Sequence, residues 1–240
     1  MACHFVPAAL TPAQVWEEVS GIATLLSRVD PLFAHWWAMP RSAADRYVPL
    51  DQRDEFIARV QADDARLAEE YPGQPSLGSN GVLVTNAGND GDWSKRGGIG
   101  LSYRPESGML RLHIDRVETV FASPGSLLQS TLVAMLKHLP ISFAQTDVQQ
   151  RVEDALLLYS VDRSPFRHRD FLGWMGYVAA PLTMEDVPAA TRLERTGDGT
   201  LIVAAEVLDL ADAFAIKRVN QVEMSLVDLE LLRVTDPSLD

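Results

Sequence analysis

Apolar residues recur at steps of three and four near the start of the chain, the period of an amphipathic helix. The segment Thr11-Pro12-Ala13-Gln14 has the pattern of a capping box with proline at the first helical position. The residues predicted to face the core are Val15, Val19, Ile22, Leu26 and Val29. Asp30-Pro31 ends this predicted helix, because the residue before a proline is driven out of the helical conformation.

A second helix is predicted to begin near Asp51, with Asp54 and Glu55 in its first turn, where the helix dipole favours carboxylates. Tyr71-Pro72-Gly73 ends it. The residues predicted on its buried side are Phe56, Ile57, Val60 and Leu67. Between the two helices, the aromatic segment of residues 32–37 is expected to pack in the core.

From Pro75 onward, short apolar runs bounded by Gly, Asn and Ser replace the helical stripes, a pattern typical of strands. Strands are predicted over residues 81–84, 98–103, 109–114, 141–144, 174–178 and 201–205. The last of them follows Thr196-Gly197-Asp198-Gly199, a strong turn signal.

Further helices are predicted over residues 127–139 and at the C-terminus, where Asp209 or Asp212 lies near the start. The apolar stripe of the C-terminal helix comprises Phe214, Val219, Val222, Leu226 and Leu229. The pattern of residues 148–158 fits both helix and strand, and we interpret it as a helix.

Together these elements predict an α+β fold, in which a mainly antiparallel or mixed sheet is covered by N-terminal and C-terminal helices. The 240 residues suit one large domain or two small ones. The first two helices are too apolar to stand alone, so we predict a single domain of residues 1–240. Residues 1–74 form its helical N-terminal part, and residues 75–240 form the sheet and the C-terminal helix.

The composition adds a strong acidic excess, with 33 acidic against 21 basic residues and a net charge of −12. Such a charge repels nucleic acid and attracts basic partners. The single cysteine, Cys3, excludes an internal disulfide and a cysteine-based zinc site. Neither a signal peptide nor an apolar run long enough to span a membrane is visible, which predicts a cytoplasmic protein that binds no membrane. The net negative charge predicts that it binds no nucleic acid.

Motifs of known chemistry are incomplete in this chain. His168-Arg169-Asp170 matches part of a kinase catalytic loop, but Met175 stands where the asparagine would be. Asn89-Asp90-Gly91-Asp92 lacks the later glycine and glutamate of an EF-hand. We therefore predict a protein that is not an enzyme and holds neither a cofactor nor a metal. If it were an enzyme, the face shared by His113 and Asp115 or the polar loop around Asp90 would be the first place to search for its chemistry.

Candidate partner-binding residues come from two acidic segments. Trp93 lies in a polar loop beside Asp90 and Asp92, and an aromatic side chain among charges can anchor a partner. Asp63-Asp64 and Glu69-Glu70 of the second helix form a charged face that becomes relevant if the partner is basic.

Three segments resemble one protein family in their order along the chain. They are Val29-Asp30-Pro31-Leu32-Phe33-Ala34-His35-Trp36-Trp37, Gly173-Trp174-Met175-Gly176-Tyr177 and Gly199-Thr200-Leu201-Ile202-Val203, the last followed by a long helix. In these residues the chain is similar to the immunity protein 52 family of bacterial polymorphic-toxin systems. The matching residues resemble core and strand positions, so the resemblance implies no catalytic residue.

The resemblance implies a cytoplasmic antidote encoded beside a toxin, which is typically a restriction-endonuclease-like nuclease and is often delivered by type VI secretion in bacterial competition. The toxin would then be the partner, bound through its basic domain in a stoichiometric complex. The candidate toxin-binding residues are Asp63, Asp64, Glu69, Glu70, Asp90, Asp92 and Trp93. Two alternatives stay open: an adaptor or chaperone that loads an effector into a secretion system, and an enzyme of an unrecognised type.

Overall fold

A computed structural model describes residues 1–42, 45–73 and 77–239 of the chain. Its contacts group the chain into two compact units, residues 2–141 and residues 142–240, with Met1 assigned to the second. The predicted boundary between residues 74 and 75 lies outside the described residues. The prediction of one domain for residues 1–240 stays a prediction, and the units are described in turn.

Strands of the first unit pair antiparallel with one another. They are β1 (Ala2–Phe5), β2 (Trp37–Ala38), β3 (Val48–Pro49), β4 (Val82–Thr85), β5 (Ile99–Arg104) and β6 (Met109–Ile114). Their order across the sheet is β1-β6-β5-β4-β2-β3, so the two-residue strand β3 lies at one edge. Leu101 of β5 lies opposite Leu112 of β6, and both are buried, which places one face of this pair in the core.

The helices of this unit include the two predicted for the N-terminal part, one that begins three residues before its predicted start, and two short ones that were not predicted. They are α1 (Pro12–Leu26), α2 (Arg53–Glu70), α3 (Asp90–Lys95), α4 (Val117–Val120) and α5 (Pro124–Leu136). The predicted capping box is confirmed, since Thr11 accepts from the Gln14 N–H at 3.4 Å and the Gln14 side chain accepts from the Thr11 N–H at 2.9 Å. The predicted end of α1 was too late, because the Leu26 carbonyl already accepts from the Val29 N–H in a closing turn.

The second unit holds an antiparallel set of four strands, a separate hairpin and one long helix. These elements are β7 (Ile141–Gln145), β8 (Gln149–Val152), β9 (Ala155–Leu158), β10 (Met175–Val178), β11 (Arg192–Thr196), β12 (Gly199–Val203) and α6 (Ala213–Asp228). The four strands follow the order β7-β10-β12-β11, and β8 pairs with β9 alone. The predicted turn at Gly197 joins β11 to β12, and this glycine takes a φ of 59° that suits a tight reversal.

The prediction of a helix over residues 148–158 was wrong, since this segment forms the β8–β9 hairpin. The chain reverses at Glu153, which takes a φ of 54°, a conformation that a helix excludes. Gln150 of β8 donates to the Asp209 carboxylate at 2.9 Å and accepts from the Leu210 N–H at 2.7 Å. These bonds come from residues about sixty positions away, which no local pattern contains.

The apolar stripe predicted for the C-terminal helix was also partly wrong. Asp212 caps α6 by accepting from the Phe214 N–H at 2.8 Å, as predicted for its start, and Val219, Val222 and Leu226 are buried. Phe214, however, is 85% exposed. A spacing of five residues from Val219 places Phe214 about 140° around the helix, away from the buried stripe.

The α+β class and the antiparallel pairing agree with the prediction, and helices at both ends of the chain bury apolar faces. Among the helices of the described residues, none combines the length and the apolar character that crossing a membrane requires.

Candidate functional site

A groove of about 630 Å³ in the first unit lies beside the C-terminal half of α2. Residues of α2 form one side, and residues of β4 and β5 form the other. Among the residues that line it are Asp63, Asp64, Tyr71, Leu83, Arg104 and Glu106. Its volume lies within the range of small-ligand sites, and Tyr71 and Leu83 leave about half of their surface exposed there.

Two carboxylates hold the segment that leads into β4. Asp64 accepts from the Asn80 N–H at 2.9 Å, and Glu106 accepts from the Gly78 N–H at 2.6 Å. Both carboxylates bind backbone N–H groups of the segment before β4, and a hydrogen bond offsets the free-energy cost of burying such a group. Asp64 and Glu106 therefore build the wall of the groove.

An alternating network of two arginines and two aspartates lies at the other end of this groove. Arg59 donates to Asp45 at 2.6 Å, and its Nε lies 3.7 Å from the Asp63 carboxylate. Arg41 forms an ion pair with Asp63 and donates to the Arg59 carbonyl at 2.6 Å. Two positive and two negative charges balance here, so the carboxylate of Asp63 is compensated within the chain.

The carboxylate of Asp45 in this network accepts hydrogen bonds from three residues. The backbone N–H of Arg41 at 3.0 Å, the Arg59 guanidinium and the backbone N–H of Arg46 at 2.9 Å all donate to its carboxylate. These donors stabilise the charged form, and they hold the pKa of Asp45 well below its usual range. Asp45 thus stays ionised and keeps Arg41 and Arg59 in place.

The remaining acidic candidates of α2 lie at its C-terminal end. Glu70 pairs with Arg66 at 2.5 Å across one turn of the helix, and Glu69 is exposed to solvent. An exposed pair at this spacing contributes about 0.3–0.5 kcal/mol, so Glu70 is only weakly held.

The second group of candidates lies on the short helix α3. Asn89 caps it by accepting from the Asp92 N–H at 2.9 Å, and Tyr47 donates a hydrogen bond from its hydroxyl to Asp90. Trp93 is half-buried, and its indole N–H donates to the Ile99 carbonyl at 2.9 Å. Part of the Trp93 ring therefore packs against the protein itself.

Of the seven candidate residues, the structure brings only Asp63 and Asp64 into the same groove. Asp90, Asp92 and Trp93 do not line it. Arg41 and Arg59, which compensate Asp63, were not predicted from the sequence. The spacing of four residues between Arg59 and Asp63 was the available signal, since such pairs face each other on a helix.

His113 and Asp115, the residues named for an alternative enzyme site, contact each other. His113 Nε2 lies 2.5 Å from Asp115 Oδ1, and both side chains are exposed. Gly98 packs so closely on Asp115 that an added Cβ would lie 2.1 Å from its carboxylate. No group of three or more His, Cys, Asp or Glu side chains in the described part of the chain is arranged to hold a metal ion.

Acidic charge without an internal partner is found in the second unit. Residues 142–240 contain 17 acidic and 9 basic residues, a net charge of −8, whereas residues 1–141 contain 16 and 12, a net charge of −4. Glu153 and Asp154 at the tip of the β8–β9 hairpin are exposed, as is Glu206. Within the described ranges, their carboxylates make no hydrogen bond or ion pair.

Comparison of the chain with models of known protein families finds no match, and a search of curated proteins finds none either. The resemblance of residues 29–37, 173–177 and 199–203 to the immunity protein 52 family stays a prediction.

Proposed function

We propose that this protein is an immunity protein, which acts in the cytoplasm and neutralises a cognate secreted nuclease-type toxin by direct stoichiometric binding. The proposal is supported by the resemblance of the three segments and by the acidic charge of the chain. It assigns no catalytic residue and no cofactor to this protein.

The observation that carries the proposal is the uncompensated acidic charge of residues 142–240. Glu153, Asp154 and Glu206 are exposed carboxylates that make no hydrogen bond within the described part of the chain. Their charge is available to a partner, unlike the charge of Asp63, which two arginines compensate.

A nuclease is a fitting partner for such a surface. It must attract phosphate groups, and it therefore presents a basic groove to its substrate. Opposite charge on an inhibitor raises the association rate by roughly 10- to 1,000-fold over an uncharged surface. Speed matters for an antidote, because a free toxin molecule acts at once. The inhibitor then excludes the nucleic acid from the groove that it occupies.

The experiment that tests this function is co-expression of the protein with the product of the neighbouring gene. Growth of the host and co-purification of the two chains are both measured. We expect rescued growth and a complex of fixed stoichiometry. A non-cognate nuclease toxin of similar net charge is the matched control, and its toxicity should be unchanged.

The two readouts separate the alternatives. A stable complex without rescue would contradict neutralisation and favour the adaptor function. If the neighbouring product is toxic but neither rescue nor a complex is observed, the proposal is overturned.

A further inference from the structure

A second cavity of the first unit, with a volume of about 330 Å³, lies apart from the α2 groove and shares none of its residues. It is lined by residues of α1, of β2 and the segment before it, and of β3 and the segment that follows it. Among them are Trp16, His35, Trp37, Pro49, Leu50 and Asp51. The cavity therefore combines aromatic rings with one acidic residue.

Hydrogen bonds and packing hold the aromatic walls in place. The indole N–H of Trp16 donates to the Leu50 carbonyl at 2.8 Å, which ties α1 to the opposite wall. The rings of His35 and Trp37 lie with their centroids 6.1 Å apart and their planes at 50°. Trp16 and Trp37 are both partly exposed, so their rings are accessible.

Asp51 supplies the charge of this cavity. It is exposed, and across the described ranges its carboxylate makes no ion pair or hydrogen bond. Pro49 and Leu50 contribute an apolar wall beside it. An aromatic wall together with a carboxylate is the chemistry that binds a cation, because the faces of indole rings carry negative potential.

The molecule already displays this interaction on one of these rings. The guanidinium of Arg53 lies 5.2 Å from the ring centroid of Trp16, within the distance for a cation–π contact. Arg53 itself does not line the cavity. The indole of Trp16 thus accepts a planar guanidinium from within the chain, and Trp37 supplies a second indole in the lining of the cavity.

We propose that this cavity binds an arginine side chain of the partner protein. Arginine is favoured over lysine because its planar guanidinium stacks on aromatic rings and donates in parallel to a carboxylate. The inference rests on the proposed function in one respect, since it takes the basic toxin as the protein that presents the arginine. The arginine side chain is held by Trp16, Trp37 and Asp51.

The first test needs no toxin and uses two probes of nearly equal shape, N-acetyl-arginine amide and the uncharged N-acetyl-citrulline amide. Binding is followed through the indole N–H signals of Trp16 and Trp37 by NMR. We expect the arginine probe to bind about 5- to 30-fold more tightly than the citrulline probe, the range for a cation–π contact supported by one carboxylate.

Asp51→Asn is the informative variant, because the exposed side chain can be changed without loss of packing. It should lower the preference for the arginine probe about 2- to 5-fold, since the carboxylate is gone and only the aromatic contact still favours the guanidinium. Glu17→Gln is the matched control, since Glu17 is also exposed, lies next to Trp16 in sequence and does not line the cavity. It should leave the ratio of the two affinities unchanged.

The second test measures the affinity of the toxin for the same variants. Asp51→Asn should raise the dissociation constant of the complex about 2- to 5-fold, and Glu17→Gln should not. Equal binding of the two probes, or a toxin complex that is insensitive to Asp51→Asn, would overturn the inference and leave the proposed function standing. If the arginine probe binds selectively but no toxin complex forms, the cationic site is supported and the proposed function fails.

Discussion

The side chain of Glu223, in the middle of α6, accepts a hydrogen bond of 3.0 Å from the backbone N–H of Gly173, which lies 50 positions earlier in the chain. The same carboxylate accepts from the Leu172 N–H at 2.9 Å and from the Ser164 hydroxyl at 3.2 Å, and Glu223 is fully buried. Gly173 has a φ of 69°, and a Cβ there would lie 2.2 Å from the Thr146 carbonyl. The turn at Gly173 and the helix are thus held together by one buried side chain.

Glu223→Ala should lower the free energy of unfolding by about 2–4 kcal/mol, because two buried backbone N–H groups lose their acceptor. Urea denaturation measures the change. Met224→Ala is the matched control, since Met224 is the next residue of α6 and is 52% exposed, so its effect should stay within about 0.5 kcal/mol. Equal effects of the two variants would show that the Glu223 hydrogen bonds do not stabilise this unit.

Burial raises the pKa of Glu223 above its ordinary value of 4.5, although the N–H groups of Gly173 and Leu172 oppose the shift. The folded state therefore binds this proton more tightly than the unfolded chain does. The pH-dependent part of the contribution of Glu223 to stability is full below pH 4.5 and is lost as the pH rises through the folded-state pKa. Relative to Glu223→Gln, the wild type should lose stability as the pH rises from about 4 to 8. A wild type that gains stability relative to Glu223→Gln as the pH rises would contradict the raised pKa of Glu223.

Cys3 is predicted to be chemically inert in the folded protein. It is 1% exposed, its sulfur lies 3.9 Å from the Met135 sulfur, and burial raises the pKa of its thiol to about 12. Because the thiolate is the reactive form, a thiol reagent at about pH 8 should not modify the native chain. In urea the same reagent should modify one thiol per chain. Rapid modification of the native protein would refute the prediction.

The two ends of the C-terminal apolar stripe should respond differently to mutation. Phe214→Ser should change the free energy of unfolding by no more than about 0.5 kcal/mol, since Phe214 is 85% exposed. Leu226→Ala should lower it by about 2–5 kcal/mol, because Leu226 is fully buried and its removal leaves a cavity. Thermal or urea unfolding measures the free energy of unfolding of both variants. A large loss of stability with Phe214→Ser would show that Phe214 belongs to the buried stripe, as predicted from the sequence.

Reversal of the uncompensated charges should slow association with the toxin. The double variant Glu153→Lys/Glu206→Lys is expected to lower the association rate constant about 10- to 100-fold at low salt, with a smaller effect at high salt. Stopped-flow fluorescence measures the rate.

Two variants with the same change in net charge serve as comparisons. Glu17→Lys/Glu118→Lys alters exposed carboxylates elsewhere and should have a smaller effect. Glu69→Lys/Asp92→Lys tests the residues predicted from the sequence. If that variant alone slows association, the acidic surface that matters lies on α2 and α3.

Much of the local structure was predictable because its causes lie within a few residues. The capping box at Thr11 and Gln14, the Asp212 cap and the turn at Gly197 depend on side chains that bond their own neighbours or on the backbone freedom of glycine. The acidic excess and the single cysteine are also properties of the sequence alone.

The tertiary structure decided which acidic side chains are available to a partner. Asp63 is compensated by Arg41 and Arg59, whereas Asp51 keeps an open carboxylate beside two tryptophans. Residues 149–158 form a hairpin although their pattern also fitted a helix. These outcomes depend on groups that are distant in the chain and come into contact only on folding. Burial and ion pairing arise from such contacts, so no local pattern of residues contains them.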